Sequence, residues 1–214
     1  MRKTLLTIAA AAGVSALSIG ALHAQGGAQP GAIDVSAVEA GSYTADAAHS
    51  MVGWSVSHLG FNDYYGIFGD VAGTLTIDPA NPSAAKVDVT IPIASVTVPS
   101  AGLRDHLLRP GADGGAADFF GANPAPARFV STSVEPTGAT SANITGDLTL
   151  NGVTKPVTIA AEMSGMGTNG MNQKKVLGFH GTATIQRSQF NVPFGIQFGI
   201  SDDVDLMMTV AFEK

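Results

Sequence analysis

Histidines are the residues of this chain best suited to chemistry, and two of them stand close together. His49 and His58 bracket Trp54 in HSMVGWSVSHLG, nine positions apart. Such a pair can share a metal ion or relay a proton. Nine is an odd separation, so on one uninterrupted strand the two rings face opposite sides of the sheet. A shared metal would then need a bulge between them. Beyond residue 24 the other histidines are His106 and His180, and no H-x-H or H-E-x-x-H spacing occurs. The sequence therefore predicts neither a metal centre nor a catalytic group. It places His49 at the start of a strand and His58 at the end of one, hydrogen-bonded at a rim.

Other reactive patterns are equally weak. GMGTNG (165–170) has the glycine spacing of a dinucleotide-binding loop, but that loop needs a strand before it and a helix after it. Here NQKKVLGFHGT follows, which favours a glycine-rich hairpin loop. SDDVD (201–205) groups three carboxylates, yet Asp203 and Asp205 alternate with apolar residues and so face solvent. The glycine and glutamate of a calcium loop are missing. There is no G-x-S-x-G. The absence of cysteine removes thiol nucleophiles, thiolate metal sites, disulfides and a lipid-modified cysteine. Arg187, at a strand end in IQRSQF, has two readings: pairing with an acid such as Asp46, or contact with a ligand head group.

The elements that carry these residues are strands. Val52, Trp54, Val56 and His58 share one face, with Met51, Gly53, Ser55 and Ser57 on the other. GIFGDVAGTLTIDP (66–79) puts Val71, Gly73, Leu75 and Ile77 in phase. KVDVTIPIASVTV (86–98) does the same for Val87, Val89, Ile91 and Ile93, with a phase shift after Pro92 that suggests an edge or a bulge. AGLRDHLLR suggests a short helix with Leu103, Leu107 and Leu108 on one side. PGADGGAADFFGANPAPA is a long loop with room for one more helical turn, around Asp118 to Phe120. Strands resume at 128–136, 143–163, 175–190 and 201–214. Asn151-Gly152, between two alternating runs, is a strong hairpin signal. About eight strands with short turns and one long insertion fit an all-β sandwich or a closed antiparallel barrel. Closure removes edges, and about eight strands leave room for core side chains or one small ligand.

MRKTLLTIAAAAGVSALSIGALHAQG has a basic start, a short apolar run and a small residue before the cut, the layout of a cleaved secretory signal peptide over 1–24. Residues 25–42 then read as a flexible tether and 43–214 as one domain. Loss of Arg2 and Lys3 leaves 9 basic against 17 acidic residues, moving the net charge from −6 to −8. An acidic chain with so few Lys and Arg lacks the footprint of a nucleic-acid binder or the polybasic cluster of an anionic-lipid anchor. What stands out is a surplus of apolar and aromatic residues on strands, which is how a small-molecule pocket is usually built.

Several blocks carry a resemblance. YTADAAHSMVGWSVSHLGFNDYYGIFGDVAGTLTIDP, LRDHLL, ADFFGANPAPARFVSTSVE, ITGDLTLNGVTKPVTI, IQRSQFNV and ISDDVDLMM follow in the order seen in the YceI-like family of polyisoprenoid-binding periplasmic proteins. The resemblance spans Tyr43 to Phe212. It implies an extended, lipocalin-like β-barrel, periplasmic export, and a long isoprenoid such as an isoprenoid quinone in an internal cavity. It also implies dimerisation through a barrel face, for which no residue pattern gives separate support. The chain departs from the family at Trp54, where Phe is common, at RPGADGG, which lengthens the loop, and at RSQFNVPFGI. These touch the length and identity of the ligand more than the fold.

The reading is a non-enzymatic carrier or storage protein for an amphiphilic isoprenoid, quinone or polyprenyl lipid, with no cofactor beyond the lipid itself. Its wall and mouth candidates are Val52, Trp54, Val56, His58, Val71, Leu75, Ile77, Phe119, Phe120, Phe179 and Arg187. The alternative is a quinone- or haem-linked redox partner of a membrane protein. A third reading, hydrolysis of an amphiphile with His49 or His58 as base, ranks below both.

Overall fold

A computed structural model describes residues 29–214. The signal peptide expected over 1–24, and residues 25–28 of the expected tether, lie outside the described residues. The strands are β1 (Gly31–Ala32), β2 (Gly41–Ala45), β3 (Met51–His58), β4 (Asn62–Phe68), β5 (Ala72–Ile77), β6 (Lys86–Ile91), β7 (Ala127–Pro136), β8 (Ser141–Leu150), β9 (Val153–Thr168), β10 (Lys175–Gln186) and β11 (Asp203–Glu213). One α-helix, α1 (Ala101–Leu108), sits between β6 and β7.

All pairings are antiparallel, and they close a ring. β5–β6, β6–β7, β7–β8, β8–β9, β9–β10 and β10–β11 pair in succession. β2 and β3 both lie along β11, through Phe212↔Ala45 and Asp205↔Ser55, so they are two halves of one kinked wall strand. β4 and β5 are likewise two halves, pairing with β3 and β2 respectively. The walls therefore number eight, in an up-and-down barrel with no long free edge. The kinks have local causes. Asp46 accepts from Ala48 N and caps a 3-10 turn over Ala47–His49. Asp70 takes a left-handed φ of 57°. The run 66–79, expected as one strand, is thus broken at Gly69–Val71.

The hairpin expected at Asn151-Gly152 forms between β8 and β9, with φ of 48° and 80°. Two left-handed residues make the turn whose twist matches the flanking strands. Pro92 ends β6, and a 3-10 turn over Ile93–Ser95 follows. Three expectations need correction. The extra helical turn lies at Ala112–Gly114, where Asp113 and Gly114 take positive φ, and not at 118–120. The strand expected to run to 190 ends at Gln186, and Arg187–Phe190 form a 3-10 turn. GMGTNG lies mostly within β9, and the turn itself is Asn169–Lys174.

The described part of the expected tether is packed onto the barrel rather than free. β1 pairs with the end of β9 through Gly31↔Gly167. Asp34 caps a 3-10 turn over Val35–Ala37, Val38 is buried, and Tyr43 Oη donates to Glu39 O at 2.8 Å. Glu39 also lies 3.3 Å from Lys175 Nζ and 3.2 Å from Lys214 Nζ. An apolar residue at Val38 and a charge partner at Glu39 give this segment enough to hold it.

Inward residues form two clusters. One surrounds Val71, Ile91, Phe129, Leu148, Ile185 and Phe190. The other joins Val38, Tyr43, Ala45, Leu75, Met166, Leu177 and Phe212 and fills one end of the barrel.

Candidate ligand-binding cavity

The barrel encloses a cavity of about 590 Å³, within the roughly 300–1,000 Å³ usual for small-molecule sites. Alternation decides its walls. β3 contributes Val52, Trp54 and Val56, β6 contributes Val87, Val89 and Ile91, and β11 contributes Val204, Leu206, Met208, Val210 and Phe212. β8 and β9 add Ile144, Leu148, Val157 and Ile159. Every second residue of these strands faces the lumen, because successive side chains leave the pleat on opposite sides.

The two ends differ. At one end the walls run into the packed cluster of Tyr43, Met166, Leu177 and Val38, none of which borders the cavity. Phe179 and Phe212 stand at this floor, edge to face with ring centroids 6.0 Å apart. The opposite end is roofed by α1, the loop after it, and the loop between β10 and β11. Leu103, His106 and Leu107 of α1 line the cavity, as do Phe119, Phe120, Val192, Phe194 and Ile200 from the loops. Ser100 caps α1 by accepting from Leu103 N at 3.2 Å. The rings of His106, Phe119 and Phe194 meet at centroid distances of 5.0 to 5.3 Å. This is the seam between the two roof segments. Asp118 Oδ2 anchors the loop to α1, 2.8 Å from Arg109 Nη2 and 2.7 Å from His106 Nε2. The Arg109 guanidinium, then His106, hold the Asp118 carboxyl below its ordinary range.

Polar groups gather at the roof. His58, Ser100, His106 and Arg187 border the lumen there, and Tyr64 stands on the neighbouring β4. His180 borders the lumen farther down, but it is an exposed residue.

Arg187 is 7% exposed. Its Nε donates to Ser201 O at 2.8 Å, Nη1 to Val192 O and Phe194 O, each at 2.7 Å, and Nη2 to Ile200 O at 3.2 Å. Four of the five guanidinium N–H groups thus go to carbonyls of a single loop. Burial pulls its pKa down, opposed by the nearby Asp202 charge. The expected pairing with Asp46 does not form: Asp46 serves Ala48 N and His49 Nδ1. Asp202 in turn accepts from Ser188 N at 2.8 Å and Ser188 Oγ at 2.6 Å.

Trp54 is set by its neighbours. It pairs with Gly66 on one side and Leu206 on the other. A Cβ on Gly66 would overlap the indole and Val98 Cγ1, so glycine makes room for the ring. Tyr64 stacks nearby at 6.4 Å and 26°. The indole Nε1 is the one buried side-chain polar atom without a hydrogen-bond partner among the described residues.

Ten of the eleven residues singled out from sequence border this one cavity: Val52, Trp54, Val56, His58, Val71, Leu75, Phe119, Phe120, Phe179 and Arg187. Ile77 does not. It packs below the floor, against the Tyr43 cluster. His49 faces outward and His58 inward, so the two share no site, and His49 Nδ1 lies 2.7 Å from Asp46. Among the described residues no three His, Asp or Glu side chains group as metal ligands. Sequence reasoning missed the β11 face and the roof residues His106, Phe194 and Ile200. The alternation in β11 was visible, but alternation alone does not tell inside from outside.

The comparisons agree with this architecture. The YceI-like domain matches residues 43–212. Protein YceI of Shigella flexneri is 41% identical over 166 residues, 77% of this chain and 82% of that one. The crystal structure of Burkholderia cenocepacia BcnA superposes with a TM-score of 0.62 at 25% identity, covering 78% of this chain and 98% of that one. A polyisoprenoid binding domain from Saccharophagus degradans shares the fold at a TM-score of 0.53 and 15% identity, over 80% of this chain and 97% of that one. An eight-walled barrel with a blind, apolar lumen, and a match over most of the chain, place this protein in the YceI-like family.

Proposed function

We propose that the protein binds an amphiphilic isoprenoid, an isoprenoid quinone or a polyprenyl lipid, and acts by holding it rather than by turning it over. The observation that carries this reading is the polarity of the cavity. Its floor and walls are apolar, while His58, Ser100, His106 and Arg187 stand at the roof. A hydrocarbon tail then lies along the barrel and a polar head ends near Arg187 and His58. Each isoprene unit that leaves water gains about 4 kcal/mol at roughly 0.8 per buried carbon group. Ordering the chain and losing its free motion take back a large share. Arg187, with four N–H groups held by the loop, would offer the head group a fixed charge. The family match and the polyisoprenoid binding domain of like fold support the ligand class. The apolar leader over 1–24 supports export and a periplasmic carrier or storage role.

The test is extraction of the protein purified from its own host, followed by mass spectrometry of the lipid fraction. A stoichiometric isoprenoid is expected, and polyprenols should change the fluorescence of Trp54, the single tryptophan. Protein that always emerges empty and never responds to polyprenols ends the proposal. A visible chromophore would favour the redox-partner alternative instead.

A further inference from the structure

The cavity has a definite end, and the residues at that end differ in how they are held. Along β10 the lining runs through Ile185, Ala183 and Gly181 to Phe179, and the next inward residue, Leu177, is 2% exposed and borders no void. Along β5 it stops at Leu75, one inward position before Ile77. Below this level the barrel is solid around Tyr43 and Met166. Phe212 is 5% exposed and belongs to that solid cluster. Phe179 only rests on it from the lumen side and keeps part of its surface free. Its direction follows from the unbroken alternation of β10, which turns Leu177, Phe179 and Gly181 to the same side. The register shift beside it belongs to β9: Gly178 pairs with Gly165 but Phe179 with Met163, leaving Ser164 as the extra residue, so that Met166 joins Met163 at the floor cluster.

We propose that Phe179 is the residue that sets the length of tail the cavity accepts. The inference rests on the isoprenoid reading given above. A tail entering from the roof end gains contact with each further isoprene until its tip meets the Phe179 ring. Beyond that point an added unit must stay outside or crumple, so affinity stops rising. Removing the ring extends the void down to the Tyr43 and Met163 side chains without cutting into the fully buried cluster.

The experiment measures binding of farnesol, geranylgeraniol, solanesol and longer polyprenols to the full-length protein, followed by Trp54 fluorescence. Wild type should tighten with chain length up to a break and then level off. In Phe179→Ala the break should move to a longer polyprenol, with roughly tenfold tighter binding of the first length beyond the wild-type break. Phe179→Leu, which keeps more packing, should shift it less. Unchanged circular dichroism checks that each variant folds. A break at the same length in all folded variants, or no break in wild type, overturns the role of Phe179. Failure of wild type to bind any polyprenol overturns the isoprenoid reading itself.

Discussion

Trp54 and Gly66 form a pair in which one residue has meaning only beside the other. The indole occupies the space a Cβ on Gly66 would need, and its N–H is buried with no acceptor. An orphaned buried donor costs about 1–3 kcal/mol. Trp54→Phe removes that penalty and also some packing, so stability in urea should stay within about 1 kcal/mol of wild type. Gly66→Ala in the native background should cost about 2 kcal/mol through overpacking. In the Trp54→Phe background the same change should cost less, because phenylalanine lacks the indole atoms nearest the new methyl and only Val98 Cγ1 still has to give way. Additive single and double mutants in urea denaturation would show that the two residues do not compete for one space.

Arg187 is the side chain that gathers most of the loop between β10 and β11, beside the Ser188–Asp202 and Asn151–Asn191 bonds. Arg187 donates to carbonyls of Val192, Phe194, Ile200 and Ser201, and its backbone N–H donates to Asp202 O at 2.9 Å. Charge-assisted bonds of this kind contribute about 1.5–3 kcal/mol each when a partner is lost. Arg187→Ala should therefore destabilise by at least about 3 kcal/mol and expose residues 191–202 to protease. Arg187→Lys should rescue little, since a compact ammonium cannot replace a planar fork of donors. A lysine variant as stable and protease-resistant as wild type would refute the anchoring role. The contrast with the strands shows what could be read in advance. Alternation in 52–58 and 86–91 showed which residues share a face, because a one-sided strand repeats every two residues, but not which face looks inward. Arg187's partners were invisible, because they are backbone carbonyls, which every residue has. The Asp46 pairing failed for the same reason: sequence displays the carboxylates but not the carbonyls that outcompete them. Ile77 was misplaced because phase gives the face of a strand but not how far along the barrel the void extends.

Charge pairs sit on three parts of the barrel, and their pH dependence belongs to the molecule. Glu39, held by Lys214 and Lys175, fastens the 31–42 segment near the floor. Asp88 meets Arg128 through two bonds of 2.9 and 2.7 Å across β6 and β7. Asp118 ties the roof loop to α1. Their basic partners hold all three carboxyls below their ordinary values. A carboxyl whose folded pKa is depressed stabilises the fold fully above its unfolded value. That contribution is lost as pH falls through the lowered folded value. The urea midpoint should therefore stay level above the usual carboxylate range and decline as the solution is acidified below it. All three pairs face solvent, so salt screens them, and the decline should be shallower at high ionic strength. The triple variant Glu39→Gln, Asp88→Asn, Asp118→Asn should begin with a lower midpoint and lose less of it on acidification. If its acid limb parallels wild type at low salt, other carboxyls govern the acid stability of the barrel.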